Sequence, residues 1–122
     1  MKRNTKLDKA NSYRLSQEVL RNRALSKGVN LISPETIFLS ADTTFGKNVT
    51  IEPYVVFGPK VKVGDNSCIK SFSHIEGTKI GKNVSVGPYA RLREGTILKN
   101  NSKIGNFVET KKSNINQNSK VN

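Results

Sequence analysis

From Leu39 onward an aliphatic residue returns at every sixth position, and that period constrains the fold more than any other feature of the chain. Read in sixes, the sequence runs LSADTT, FGKNVT, IEPYVV, FGPKVK, VGDNSC and IKSFSH, followed by the five-residue unit IEGTK. It resumes with IGKNVS, VGPYAR, LREGTI, LKNNSK and IGNFVE, a second short unit TKKSN, then INQNSK and VN. The first place holds Leu39, Phe45, Ile51, Phe57, Val63, Ile69, Ile75, Ile80, Val86, Leu92, Leu98, Ile104, Ile115 and Val121, with one lapse at Thr110. The second place favours Gly, as in Gly46, Gly64 and Gly81, and the fifth favours small or β-branched residues such as Val49, Val55, Ser67 and Ala90. A helix repeats every 3.6 residues and a strand every two. A period of six fits a strand-and-turn unit stacked into a coil. First-place aliphatics should point inward, fifth-place residues should let the walls approach, and second-place Gly should ease each corner. Successive coils should pair as parallel strands. Parallel crossovers are normally right-handed, so chain physics alone would give the coil that hand.

Residues before the repeats have another period. Leu15, Val19, Leu20 and Ala24 form a ragged apolar stripe that predicts a helix from about Asn11 to Lys27. Asn11 or Ser12 is the expected N-cap, Lys27-Gly28 the stop, and Arg14, Arg21 and Arg23 the wet face. Pro34 ends any continuation. The chain divides into 1–10, expected to be disordered, a helix over 11–28 and a coil domain over 29–122.

Composition agrees with a slender core: 34% of the 122 residues are hydrophobic, 7% are aromatic and none is Trp. The net charge of +12 is spread evenly, which describes a cationic surface able to attract anions. No nucleic-acid motif is present and the aromatics are not interleaved with cations, so nucleic acid is not an expected partner. Tyr54, Phe57, Phe72, Tyr89 and Phe107 look scattered through the repeat, and core or subunit packing is expected of them. Cys68 is the one cysteine, so no intrachain disulfide framework exists. Cys68 and the one histidine, His74, both hold the sixth place, where a structural corner residue is expected. No apolar run reaches a membrane span and the basic N-terminus lacks an apolar signal region, so no membrane partner and a cytoplasmic address are expected.

The hexad pattern resembles the left-handed parallel β-helix acyltransferases. Within it, VGPYARLREGT (Val86 to Thr96) and IGNFVETKKS (Ile104 to Ser113) are similar to the bifunctional N-acetylglucosamine-1-phosphate uridyltransferase/glucosamine-1-phosphate acetyltransferase family. GVNLISPETIFLSADT, EPYVVFGP and FSHIEGTKIG resemble the start of its acetyltransferase domain. The resemblance implies a single-stranded left-handed parallel β-helix preceded by an α-helix, a homotrimer, and work in UDP-N-acetylglucosamine biosynthesis. In the family, acetyl-CoA is the acyl donor and Mg2+ serves the uridyltransferase half. Neither cofactor is expected in this stretch. Arg3 to Leu7 resembles the motif closing the uridyltransferase domain, and Asn4 would match a magnesium-binding asparagine whose partners are absent.

The family grips the sugar phosphate with an arginine of its Arg-Leu-Arg motif and a lysine of its Lys-Lys motif, which match Arg93 and Lys111. Guanidinium and ammonium suit phosphate oxygens. Glu94 replaces the usual proline and should weaken their field. Acetyl transfer to an amine needs a base, and the sequence stops at Val121-Asn122, one residue before the family's histidine. No catalytic residue is therefore assigned here. The expectation is a truncated homologue, inactive alone, marginally stable or associating through its solenoid edges. Alternatives are half of a split acetyltransferase completed by a C-terminal fragment, or a non-catalytic basic scaffold.

Overall fold

The computed structural model describes residues 5–122, and these form one helix seated on a parallel β-solenoid of three faces. Face A stacks β1 (Asn30–Leu31), β3 (Thr50–Ile51), β6 (Cys68–Ile69), β9 (Ser85–Val86), β12 (Lys103–Ile104) and β15 (Lys120–Val121). Face B stacks β4 (Val56–Phe57), β7 (His74–Ile75), β10 (Ala90–Leu92) and β13 (Val108–Thr110). Face C stacks β2 (Thr44–Phe45), β5 (Lys62–Val63), β8 (Thr78–Ile80), β11 (Thr96–Leu98) and β14 (Asn114–Ile115). Every pairing is parallel, as in Ile51 on Ile69 and Ile69 on Val86.

The core is the column read from the hexads. First-place Ile51, Ile69, Ile75, Val86 and Leu92 are completely buried, and fifth-place Val49, Val55 and Ser102 are equally closed. Each buried aliphatic contributes about 1.5–3 kcal/mol, so the stack stabilises coils that no single turn could. The lapse at Thr110 is absorbed: its buried hydroxyl lies 2.9 Å from Thr96 Oγ1, which donates to the Arg93 carbonyl.

The turns correct the expected roles of three places. Left-handed backbone falls at the fourth place, where Asn48, Tyr54, Lys60, Asn66 and Phe72 have φ of 58, 62, 62, 63 and 61°. Second-place Gly64 serves close approach instead: a Cβ there would sit 2.5 Å from the Gly81 carbonyl oxygen of the next coil. The sixth place is no corner. Cys68 and His74 lie within strands β6 and β7, because a residue preceding an inward first-place aliphatic must face outward on a pleated strand.

The helix α1 (Lys6–Ser26) also departs from expectation. It starts five residues earlier and takes in residues expected to be disordered. Thr5 Oγ1 accepts from the Asp8 N–H while Asp8 Oδ2 accepts from the Thr5 N–H, a capping box that fixes the start. Only half of the apolar stripe faces inward, Ala24 buried in the core and Leu20 packed against it. Leu15 and Val19 are more than half exposed, whereas Gln17, Arg21 and Ala24 are buried. The cause is the surface beneath. Among the described residues the first coil has no strand above it, so the backbone around residues 35–39 needs polar partners. Gln17 Nε2 donates to the Leu39 carbonyl and Gln17 Oε1 accepts from the Leu39 N–H, both at 2.8 Å. Arg21 Nε donates to the Ile37 carbonyl at 2.8 Å, with its guanidinium 5.0 Å from the Phe38 ring centre. The helix is thus a polar lid for a β edge. No helix among the described residues is long and apolar enough to cross a membrane.

Candidate functional site

Arg93 and Lys111 each leave a face-B strand at the second place of the turn toward face C. The register of β10 on β13 sets Leu92 against Thr110, and the Arg93 N–H donates to the Thr110 carbonyl at 2.9 Å. The two cations therefore emerge from consecutive coils at the same edge. Eighteen residues separate them (111 − 93), the length of one coil of three hexads. Lys111 is exposed and the Arg93 side chain is 38% exposed.

Glu109, which the sequence reading missed, changes the electrostatics of this edge. Its Oε2 accepts from Arg93 Nη1 at 3.3 Å, the one ion pair among the described residues. Glu109 also pairs in register with Arg91, and Arg91 with His74. The outer surface of face B thus runs His74, Arg91, Glu109, with Arg93 and Lys111 along its rim. A phosphate at this rim would meet a guanidinium already half engaged by a carboxylate. The pair is solvent-exposed and worth under about 1 kcal/mol, so a doubly charged oxyanion can compete for it. Glu94 is exposed in the same turn, and its carbonyl accepts from the Lys112 N–H. A signal for Glu109 was available only in the register, since a diagonal partner follows no fixed sequence spacing.

The remaining candidates are dispersed. His74 is exposed on face B, its strand neighbours being Val56 and Arg91. Cys68 is half-buried on face A between Thr50 and Ser85. Burial pushes its thiol above the usual value, with a further push from Glu52 and an opposing pull from Lys70. Asn4 lies outside the described residues. Among the described residues no three His, Cys, Asp or Glu side chains gather as a metal site.

Four aromatics judged scattered are in fact aligned. Tyr54, Phe72, Tyr89 and Phe107 stack along the corner between faces A and B, with ring centroids 5.2, 5.1 and 5.1 Å apart. Their spacing of 18, 17 and 18 residues was legible once three hexads are taken as one coil and the short unit is subtracted. Only Phe57 joins the core, edge-on to Phe45.

A three-faced solenoid with the first and fifth residues of each six turned inward defines a class. Residues 42–77 and 77–112 match the model described as bacterial transferase hexapeptide (six repeats), and the chain belongs to that family. Its fold is similar to serine acetyltransferase isoform 3 from Entamoeba histolytica, with a TM-score of 0.65 and 21% identity over 89% of this chain and 40% of that one. Closer in sequence is the bifunctional protein GlmU of Rhodopseudomonas palustris (strain BisA53), 58% identical over 77 residues. GlmU of Bradyrhizobium sp. (strain ORS 278) is 51% identical over 77 residues. Each match spans 63% of this chain and 17% of the relative, so the chain corresponds to under a fifth of those proteins.

Proposed function

We propose that this chain is the sugar-phosphate-binding front of a GlmU-type glucosamine-1-phosphate N-acetyltransferase domain, in the route to UDP-N-acetylglucosamine. Arg93 and Lys111 hold the phosphate, the guanidinium through two N–H donors and the ammonium as a second charge. The observation that carries the reading is their emergence from consecutive coils at one edge, within residues 77–112 that match the hexapeptide family, in a chain 58% identical to GlmU over 77 of its residues. In the acetyl transfer itself acetyl-CoA would supply the acyl group, and this stretch would orient the acceptor by its phosphate. His74, the one histidine, sits in a strand beside Arg91 and is not the base. The role proposed for these 122 residues is to bind the acceptor without turnover. Further coils, from the same chain or a second polypeptide stacked on β13 to β15, complete the chemistry. The resemblance adds a cytoplasmic homotrimer as the working assembly.

Calorimetric titration with glucosamine 1-phosphate and with inorganic phosphate tests this. A charge-assisted bond is worth about 1.5–3 kcal/mol, so Arg93→Ala should weaken both ligands roughly 10- to 100-fold. Lys111→Ala should weaken them less, and neither the wild type nor the variants should consume acetyl-CoA. Equal affinity in Arg93→Ala, or steady turnover by the wild-type chain, refutes the reading.

A further inference from the structure

The three faces turn different columns of side chains outward. Face A shows Thr50, Cys68, Ser85, Lys103 and Lys120. Face B shows Val56, His74, Arg91 and Glu109, where Arg91 meets a carboxylate in register. Face C shows Thr44, Lys62, Lys79, Ile97 and Asn114, with Lys62 directly beside Lys79 and no carboxylate in the column. Like charges in register are destabilising. Neither ammonium has an acid within ion-pair distance, Arg93–Glu109 being the one such pair among the described residues. The two lysines also bound a hollow. An open trough of about 570 Å3 lies on face C, with Lys60, Lys62, Lys79, Ile97 and Asp42 in its lining. It continues past Lys79 and Ile97 into a second hollow of about 300 Å3 that reaches Lys99.

Four lysines thus meet one carboxylate along the trough. That carboxylate is already engaged, since both Asp42 oxygens accept from the Lys60 N–H, at 3.2 and 3.0 Å. The acids at the rims are Glu76 and Glu94 in the turns from face B, and Asp65 in the turn to face A. Asp65 Oδ1 accepts from the Lys47 N–H, and none of the three lines the trough. We propose that face C binds a small diphosphate ester. The Lys62 and Lys79 ammonium groups take the two phosphoryl groups, and Lys60 and Lys99 close the ends. Adjacent coils lie about 4.8 Å apart, so these cations span about 10 Å. That length suits two linked phosphoryl groups, whereas an acidic peptide would place only about three residues against it. Nucleic acid is disfavoured, because the lining holds no aromatic ring on which a base could stack. One phosphoryl group carries about −1.5 to −2, so a single one leaves lysine charge uncovered and a linked pair covers it. Ile97, 38% exposed, offers the organic part an apolar floor. Face C lies opposite the aromatic corner in the triangular section, so a contact at that corner leaves the trough open. Its lysines are distinct from Arg93 and Lys111, and the assignment does not rest on the phosphate reading.

An NMR amide-shift titration of the full chain with inorganic phosphate, pyrophosphate and ADP, in metal-free buffer, tests the assignment. It reads the trough at Lys62, Lys79 and Ile97 and the other edge at Arg93 and Lys111, so the two sites are followed separately. At the trough, pyrophosphate and ADP should saturate at concentrations at least about tenfold below phosphate. Lys62→Gln/Lys79→Gln should weaken pyrophosphate there roughly a hundredfold. Lys103 and Lys120 form the same like-charged pair in register on face A, outside the trough. Lys103→Gln/Lys120→Gln removes equal charge and should leave trough affinity within about twofold. Arg93→Ala should leave the trough response unchanged while abolishing that of its own edge, so failure of one reading is distinguishable from failure of the other. Four results overturn the proposal: trough amides that do not move, phosphate as effective as pyrophosphate, equal losses in the two lysine-pair variants, or oligoglutamate or single-stranded DNA displacing ADP from the trough at lower concentration than pyrophosphate does. The wild-type comparison of phosphate with pyrophosphate stands even where a lysine variant fails to fold.

Discussion

At the corner between faces C and A, the fourth-place column reads Asn48, Asn66, Asn83, Asn101 and Asn118, with φ of 57–64°. At the corner between A and B, it reads Tyr54, Phe72, Tyr89 and Phe107, with φ of 57–62°. The backbone demand is the same and comes from the coil geometry. The side-chain answers are opposite. Asparagine tolerates left-handed backbone. Tyr and Phe do not, and each bears a penalty of the order of 1 kcal/mol. Stacking returns about 0.5–1.5 kcal/mol per ring pair, which roughly cancels that penalty. The aromatic ladder therefore adds little to the folding of one copy. Where geometry fixes the backbone, the freely chosen side chain reports on what lies outside it.

The sharpest way to break the comparison is at the second place, where the corners differ in how closely coils approach. The asparagine corner has Gly46, Gly64 and Gly81 there, whereas the aromatic corner has Glu52 and Lys70 in its first two coils. In Gly64→Ala the new methyl would stand 2.5 and 2.6 Å from the Gly81 oxygen and carbon, both backbone atoms that cannot step aside. A loss of about 1–3 kcal/mol is expected from such overpacking. Urea unfolding checks it, and an unshifted midpoint would show that the coils can spread at this corner.

A smaller effect separates the fourth-place residues themselves. Asn83→Phe puts a ring between Asn66 and Asn101, where nothing can stack, and should cost about 1–2 kcal/mol. Phe72→Asn, measured at dilution where copies are apart, gives up two stacking contacts but relieves the backbone, so its stability should stay within about 1 kcal/mol of wild type. Equal losses at the two sites would mean that the ladder is a folding device, and the distinction between the corners would fall.

The inward column was legible because burial leaves a chemical trace in sequence: Ile51, Ile69 and Leu92 could not be polar. The left-handed fourth place was written just as regularly, but in two scripts. Asparagine advertises it, and Tyr or Phe conceals it. The helix was misread for a related reason. What it covers is a backbone edge, so Gln17 and Arg21 join Ala24 on its buried face while Leu15 and Val19 stay exposed, and only half of the apolar stripe faces inward. At the edge between faces B and C, the alignment of Arg93 with Lys111 follows from the 18-residue coil, while Glu109 engages Arg93 diagonally and leaves no periodic sign.

The smallest expected effect lies on the strands that lead into the two corners. Those entering the asparagine corner expose Lys62 and Lys79, while those entering the aromatic corner carry Cys68 and Ser85. Cys68 is half-buried and its thiol is raised above the ordinary value of 9.0 by burial first and Glu52 second. A group that holds its proton more tightly when folded contributes evenly below its unfolded value, and that contribution is lost as pH rises past it. Wild-type stability should therefore fall more steeply than that of Cys68→Ser as pH rises through 9.0 and above. Glu52→Gln should reduce the difference without abolishing it, because burial is the larger cause. Every other ionisable group is common to both chains and cancels in the comparison. Parallel pH profiles for the wild type and Cys68→Ser would mean that the thiol is as well solvated as an exposed one. The strand entering the aromatic corner would then be no drier than its lysine-bearing counterpart.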